Sequence, residues 1–198
     1  MKKEYSGSMY LEKLCHYIDV VRWWNGSRVN RFIVTSVPNV IPYYEIEDNV
    51  HVTYSFENGA VSHLFFLSTA TAGLSNYLPH KCDLFEQDKL GYKLNYIITG
   101  TKGSIELDVF QREIRVYLHP GNSELKEKTA VMLKKYNWTA EEDNLHFHNS
   151  KEQNLDIVRR VALGEPPSLS LEDALETMLL CLQFSEAQEK TPWQIIKR

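Results

Sequence analysis

The sequence predicts an α+β fold, a mainly antiparallel open sheet of about seven to eight strands with about three helices packed on one face, in a single domain over residues 1–198. Three observations carry that expectation. Helical periodicity opens and closes the chain, period-two alternation fills its middle, and Asn58-Gly59 separates two apolar runs in the manner of a hairpin turn.

The first helix is read over Ser8 to Gly26, with Ser8 as N-cap and Gly26 as a left-handed stop. Leu11, Leu14, Cys15, Ile18 and Val21 turn toward a core. Glu12, His16, Asp19 and Trp23 make a second stripe, in which the Glu12 carboxylate is expected to reach the His16 ring one turn later.

Strand residues follow from Arg28 to Val37, and Pro38 and Pro42 bound a loop. From Asp48 to Asn58, Val50, Val52, Tyr54 and Phe56 alternate with His51, Thr53 and Ser55, and Ala60 to Ser68 returns antiparallel to them. Residues 68–80 are rich in small and polar types, as loops near sites or interfaces are, and 81–87 reads as a short strand. Leu94 to Thr99 and Ser104 to Val109 are strands joined by a tight Gly100-Thr101-Lys102-Gly103 turn. Glu113 to Leu118 and Lys128 to Tyr136 complete the strands, with a turn at His119-Pro120-Gly121-Asn122 between them.

Helical signals then return. Thr139 with Glu142 has capping-box spacing, and Leu155, Ile157, Val158, Val161 and Leu163 keep a helical period up to Gly164. Ser170 with Asp173 opens a last helix, expected to bury Leu175, Met178, Leu179, Leu182 and Phe184 and to end before Pro192, leaving Trp193, Ile195 and Ile196 as a docking tail. The second sheet face, with His51, Thr53, Ser55, Leu64 and Phe66, is left open and is expected to be covered by another copy of the chain, making a homo-oligomer.

Composition narrows the partners. Hydrophobic residues at 43% and a formal net charge of -4 describe a globular, weakly acidic chain, and its scattered basic residues do not gather into a nucleic-acid-binding face. No apolar run approaches the roughly 20 residues that a membrane span needs. The segment after Met1-Lys2-Lys3 has no signal-peptide core, and the odd, widely spaced Cys15, Cys82 and Cys181 suit reduced thiols, so a cytoplasmic location is expected. A metal reading would join Cys15, Glu12 and His16 with His146 and His148, but strong zinc spacings are absent and no metal is expected.

Several stretches together resemble the C-terminal domain of the Gfo/Idh/MocA oxidoreductase family. Glu12 to Asp19 followed by Trp23 and Asn25-Gly26 looks like the helix that carries the family's substrate-side residues. The run Phe56 to Ala60 is similar to its central hairpin, Ile98 to Glu106 to its glycine turn, and the segments Gly164 to Pro167 and Ser170 to Ala174 to its ending. The resemblance implies hydride transfer between a sugar, cyclitol or similar polyol and NAD or NADP held by a separate Rossmann domain.

The sequence carries no G-x-G-x-x-G between a strand and a helix, and no Glu-Lys-Pro motif for the family's catalytic lysine. No cofactor is therefore expected to bind this chain alone, and the chain alone is expected to be inactive. His16 falls on the family's histidine and Glu12 where many members carry aspartate, which makes them the candidate catalytic pair. Histidine titrates in the range useful for taking a proton from a substrate hydroxyl, and a neighbouring carboxylate would orient it. Asp19, His146 and His148 are candidate substrate-binding residues; Asp19 reads more readily as a brace that holds the helix against a loop, and the two histidines read equally as solvated side chains. The alternative function is a non-catalytic, stand-alone binding or dimerisation module with the same fold.

Overall fold

Among the described residues the strands form two antiparallel sheets, of three and four strands, where the strand signals led to the expectation of one. The structure, a computed structural model, describes residues 1–67, 94–119, 130–139, 141–142 and 150–188. The short strand expected at 81–87, the loop before it, and the tail with Trp193 lie outside these residues. By contacts the chain divides into two compact units, Met1–Thr69 with Arg160–Arg198, and Ala70–Arg159. Strand pairing is non-local, so local periodicity places the strands without saying which ladder each one joins.

In the first unit, β1 (Val29–Ser36), β2 (Asn49–Phe56) and β3 (Val61–Leu67) pair in the order β1-β2-β3. The Asn58-Gly59 hairpin forms as expected. Gly59 adopts φ 88, and the Phe56 amide donates to the Ala60 carbonyl at 2.9 Å. The inner face carries Phe32, Val34, Val50, Val52, Tyr54, Phe56, Leu64 and Phe66.

Leu64 and Phe66, expected on the open face, therefore point inward: the register sets His51 opposite Phe65 and Val52 opposite Leu64, so the outward residues of β3 are Val61, His63, Phe65 and Leu67. Ser55 is outward by register yet buried, because its hydroxyl donates to Asn30 at 2.7 Å and accepts from Arg31 at 2.9 Å.

Helices α1 (Lys3–Ser6) and α2 (Cys15–Asn25) flank a π-helical turn at Tyr10–Leu14. Gly26 ends α2 at φ 57, its amide bonding the Arg22 carbonyl. Ser8 does not cap: its hydroxyl is buried without a partner, and only its carbonyl enters the ladder, accepting from the Glu12 amide. Tyr10, Leu14 and Ile18 are buried, with Leu11, Cys15 and Val21 packed against them, as the apolar spacing predicted.

The last helix, α4 (Leu171–Gln188), starts on the Ser170 hydroxyl, which accepts from the Asp173 amide at 3.1 Å. It buries Thr177, Leu180, Cys181, Phe184 and Gln188. Of the five residues expected to be buried only Phe184 is; Leu175, Met178, Leu179 and Leu182 are exposed. The helix is apolar on most of its circumference, so periodicity alone does not choose the face. Phe184 sits at the centre of the core, edge-on to Phe32 at 4.8 Å and Tyr10 at 5.8 Å, and tilted against Tyr54 at 5.6 Å.

In the second unit β4 (Asn95–Thr99), β5 (Gly103–Asp108), β6 (Glu113–Leu118) and β7 (Val131–Asn137) form a meander. The Gly100 amide donates to the Gly103 carbonyl at 2.9 Å, closing the predicted turn. The Thr139–Glu142 capping box is made in both directions, at 2.6 and 3.2 Å. Helix α3 (Ser150–Leu163) stops at Gly164, φ 67.

Candidate active site

The stripe read from the sequence is present and faces outward. Glu12 lies in the π turn, and His16, Asp19 and Trp23 lie on α2; Glu12, His16 and Trp23 are exposed and Asp19 half-exposed. Among the described residues no hydrogen bond or ion pair joins Glu12 to His16. The widened i→i+5 turn gives the reason, since residues four apart across the junction of π and α segments no longer stack as in a regular helix. His146 and His148 lie outside the described residues.

Asp19 is held from the other side of the unit, by α4 rather than by a loop. The Thr177 hydroxyl donates to its Oδ1 at 2.6 Å, and Arg22 Nη1 lies 3.6 Å from the same oxygen. Sequence reasoning missed Arg22. It is 7% exposed, and it donates to the Asp173 carboxylate at 2.9 Å, the Asp173 carbonyl at 3.2 Å and the Thr177 hydroxyl at 2.5 Å, with Glu176 at 3.0 Å. The signal lay in its spacing, because Leu14, Ile18 and Arg22 stack at four-residue intervals on the core side. A cation placed there needs carboxylates and further hydrogen bonds around it. Asp173 completes only half of its capping box for the same reason: its carboxylate goes to Arg22.

Beneath the stripe, the Cys15 thiol donates to the Leu11 carbonyl at 3.5 Å, and the Cys181 thiol is fully buried, pushed up to about 12 by that burial, with Cys15 and Asp19 adding to the effect. Among the described residues no group of three or more histidine, cysteine or acidic side chains is placed to hold a metal ion. The Gly100 to Gly103 turn joins two antiparallel strands and opens no helix, so it does not form a dinucleotide cradle. An exposed imidazole on a helix face that also carries two carboxylates can exchange a proton with a hydroxyl brought against that face.

The fold is that of a C-terminal α/β domain of an oxidoreductase family. Residues 1–195 match the family described as the oxidoreductase family, C-terminal alpha/beta domain, and the chain belongs to that Gfo/Idh/MocA family. A search of the curated proteins finds no match.

Among solved structures the chain is similar to levoglucosan dehydrogenase in complex with NADH and levoglucosan, at 18% identity and a TM-score of 0.64, over 93% of this chain and 49% of that one. It is similar also to an oxidoreductase domain protein from Kribbella flavida, at 17% identity and 0.64, over 97% and 51%. A UDP-N-acetylglucosamine 3-dehydrogenase from Acidithiobacillus ferrooxidans matches at 11% and 0.61, over 92% and 49%. At these identities the likeness is one of fold, and the chain spans about half the length of the structures it matches.

Across the described residues no helix is long and apolar enough to cross a membrane.

Proposed function

We propose that this chain is the substrate-side half of an NAD(P)-dependent dehydrogenase acting on a sugar, cyclitol or similar polyol. His16 is its acid-base residue, Glu12 stands beside it, and Asp19, His146 and His148 contribute to substrate binding. The observation that carries the reading is the outward-facing stripe of Glu12, His16 and Asp19 in a chain of an oxidoreductase family that spans about half of its structural neighbours. Sugar-named dehydrogenases among those neighbours support the substrate class.

A nicotinamide held outside these residues supplies the hydride acceptor. The work of this chain is to seat the alcohol against α2 and to take the hydroxyl proton on the His16 ring. The outward face of the first sheet, with Ile33 and Phe65 at 60% and 68% exposure, supports assembly through a second copy.

His16→Ala, made in the protein that carries both halves, tests the assignment. Turnover on the best polyol of a substrate panel should fall by at least about a hundredfold, the lower figure for general acid-base help, while cofactor affinity holds. Glu12→Gln, which keeps shape and an acceptor oxygen, should cost less. Near-normal turnover in His16→Ala would overturn the site.

A further inference from the structure

We propose that Thr177 is a positioning residue of this site: one buried hydroxyl on α4 that fixes the rotamer of Asp19 on α2, and so the place of its carboxylate beside His16. The inference rests on the reading of His16 and Asp19 as site residues. Its physical basis is the direction of two hydrogen bonds.

Arg22 is donor-only, so at 2.5 Å the Thr177 oxygen must accept from Nη1, and the single hydroxyl proton is left for Asp19 Oδ1 at 2.6 Å. The polarity of the chain is thereby fixed, from Arg22 through Thr177 to Asp19. Thr177 is 5% exposed, which keeps water from competing for that proton, and its branched side chain has few rotamers in a helix.

Arg22 cannot do the same work directly, since it lies 3.6 Å from Oδ1, beyond a good hydrogen bond. It is itself pinned by Asp173 and Glu176 on α4. Asp19 keeps a side chain that is 40% exposed, and among the described residues its other oxygen accepts no hydrogen bond. One oxygen is anchored and the carboxylate is still open to a ligand, three residues along the helix from His16. A threonine serving only to fill space would be replaceable by valine; one that aims Asp19 would not.

The test compares Thr177→Val, of matching shape, with Thr177→Ser, which restores the hydroxyl. In the 198-residue chain, three-bond couplings at the Asp19 side chain read its rotamer by NMR. We expect one rotamer in the unmodified chain and in Thr177→Ser, and averaged couplings in Thr177→Val. In the protein carrying both halves, kcat/KM for the polyol should fall about tenfold in Thr177→Val, the order of one charge-assisted hydrogen bond, with the cofactor KM unchanged and activity recovered in Thr177→Ser.

Should Thr177→Val not fold, a Thr177 hydroxyl proton in the unmodified chain that is protected from exchange supports the assignment, and a freely exchanging one overturns it. A single Asp19 rotamer in folded Thr177→Val, or averaging without loss of kcat/KM, also overturns it. If instead His16→Ala proves active, the site reading fails, and the rotamer measurement still decides what Thr177 does to Asp19.

Discussion

Gly103 lies so close under the backbone of Tyr117 that a β-carbon built on it would sit 2.1 Å from the Tyr117 carbonyl oxygen. The opposing atoms are backbone, which cannot swing aside, so β5 and β6 approach in a way only hydrogen permits. The glycine at the end of the Gly100 to Gly103 turn is thus required by the neighbouring strand, two strands into the meander, as well as by the turn.

Gly103→Ala should destabilise the second unit by about 1–3 kcal/mol or more, the range for forced overpacking. Amide hydrogen exchange should speed up across β4, β5 and β6 while the Phe56 and Tyr54 amides of the first unit keep their protection. Unchanged exchange in β5 would contradict the close approach.

Arg22→Met should cost about 1.5–3 kcal/mol of stability, the range for hydrogen bonds to a charged group, because the cation is buried while its carboxylate partners keep part of their solvent. Asp19, Asp173 and Glu176 would face one another without their shared cation, and Thr177 would lose its donor. Urea denaturation followed by tyrosine and tryptophan fluorescence measures this. A loss below about 1 kcal/mol, the scale of an exposed pair, would show that the network is weakly held.

Stability should fall as pH rises above the ordinary thiol range. Burial pushes the Cys181 thiol from 9.0 up to about 12 and the Tyr54 hydroxyl from 10.0 up to about 12, and burial also raises Tyr10. In each case the native chain keeps a proton that the unfolded chain has released, so native binding exceeds unfolded binding and the slope of stability against pH is negative. The contribution is complete below pH 9.0 for Cys181 and is lost by about 12, at up to about 1.4 kcal/mol per pH unit for each titrating group. Urea midpoints between pH 8 and 11 should drop, and Cys181→Ala should flatten the part between 9 and 10. A midpoint independent of pH in the parent chain would refute it.

Phe65→Arg should abolish self-association while leaving the first unit folded, because Phe65 faces outward, edge-on to His51 at 4.9 Å, with His63 bonded to Thr53 at 2.9 Å beside it. Sedimentation at tens of micromolar should give dimers or larger for the parent chain, a concentration at which an interface of standard size persists, and monomers for the variant. A parent chain that is monomeric there would remove the proposed interface.

Local signals were legible wherever local chemistry decides. Asn58-Gly59, the glycine turn, Gly26 and Gly164 as stops, and both capping pairs each act within a few residues, and the strands from β1 to β6 fall within a residue or two of expectation, while β7 begins at Val131 and not at Lys128. What could not be read depends on partners far along the chain. The split into two sheets is a matter of which edges pair.

The choice of Leu180 and Cys181 over Leu179 and Leu182 for the core is made by Arg22 reaching Thr177, 155 residues away in sequence. The inward turn of Leu64 and Phe66 follows from the hairpin register and was within reach of the sequence. At the site, the stripe of Glu12, His16 and Asp19 was visible from spacing alone, whereas the grip on Asp19 came from a threonine that looks like ordinary helix filling.

The widened turn at Tyr10–Leu14 is equivalent to a regular helix into which one residue has been inserted. Taking that residue out would let every amide bond four residues back, a local gain, but would swing everything ahead of it about 100° around the axis relative to α2. Ser8, Met9 and Tyr10, each no more than 1% exposed, would leave the core together. The insertion therefore acts as a phase shifter between two rigid pieces. It is the length of this segment, more than its composition, that keeps the amino end of the chain in step with the helix that follows.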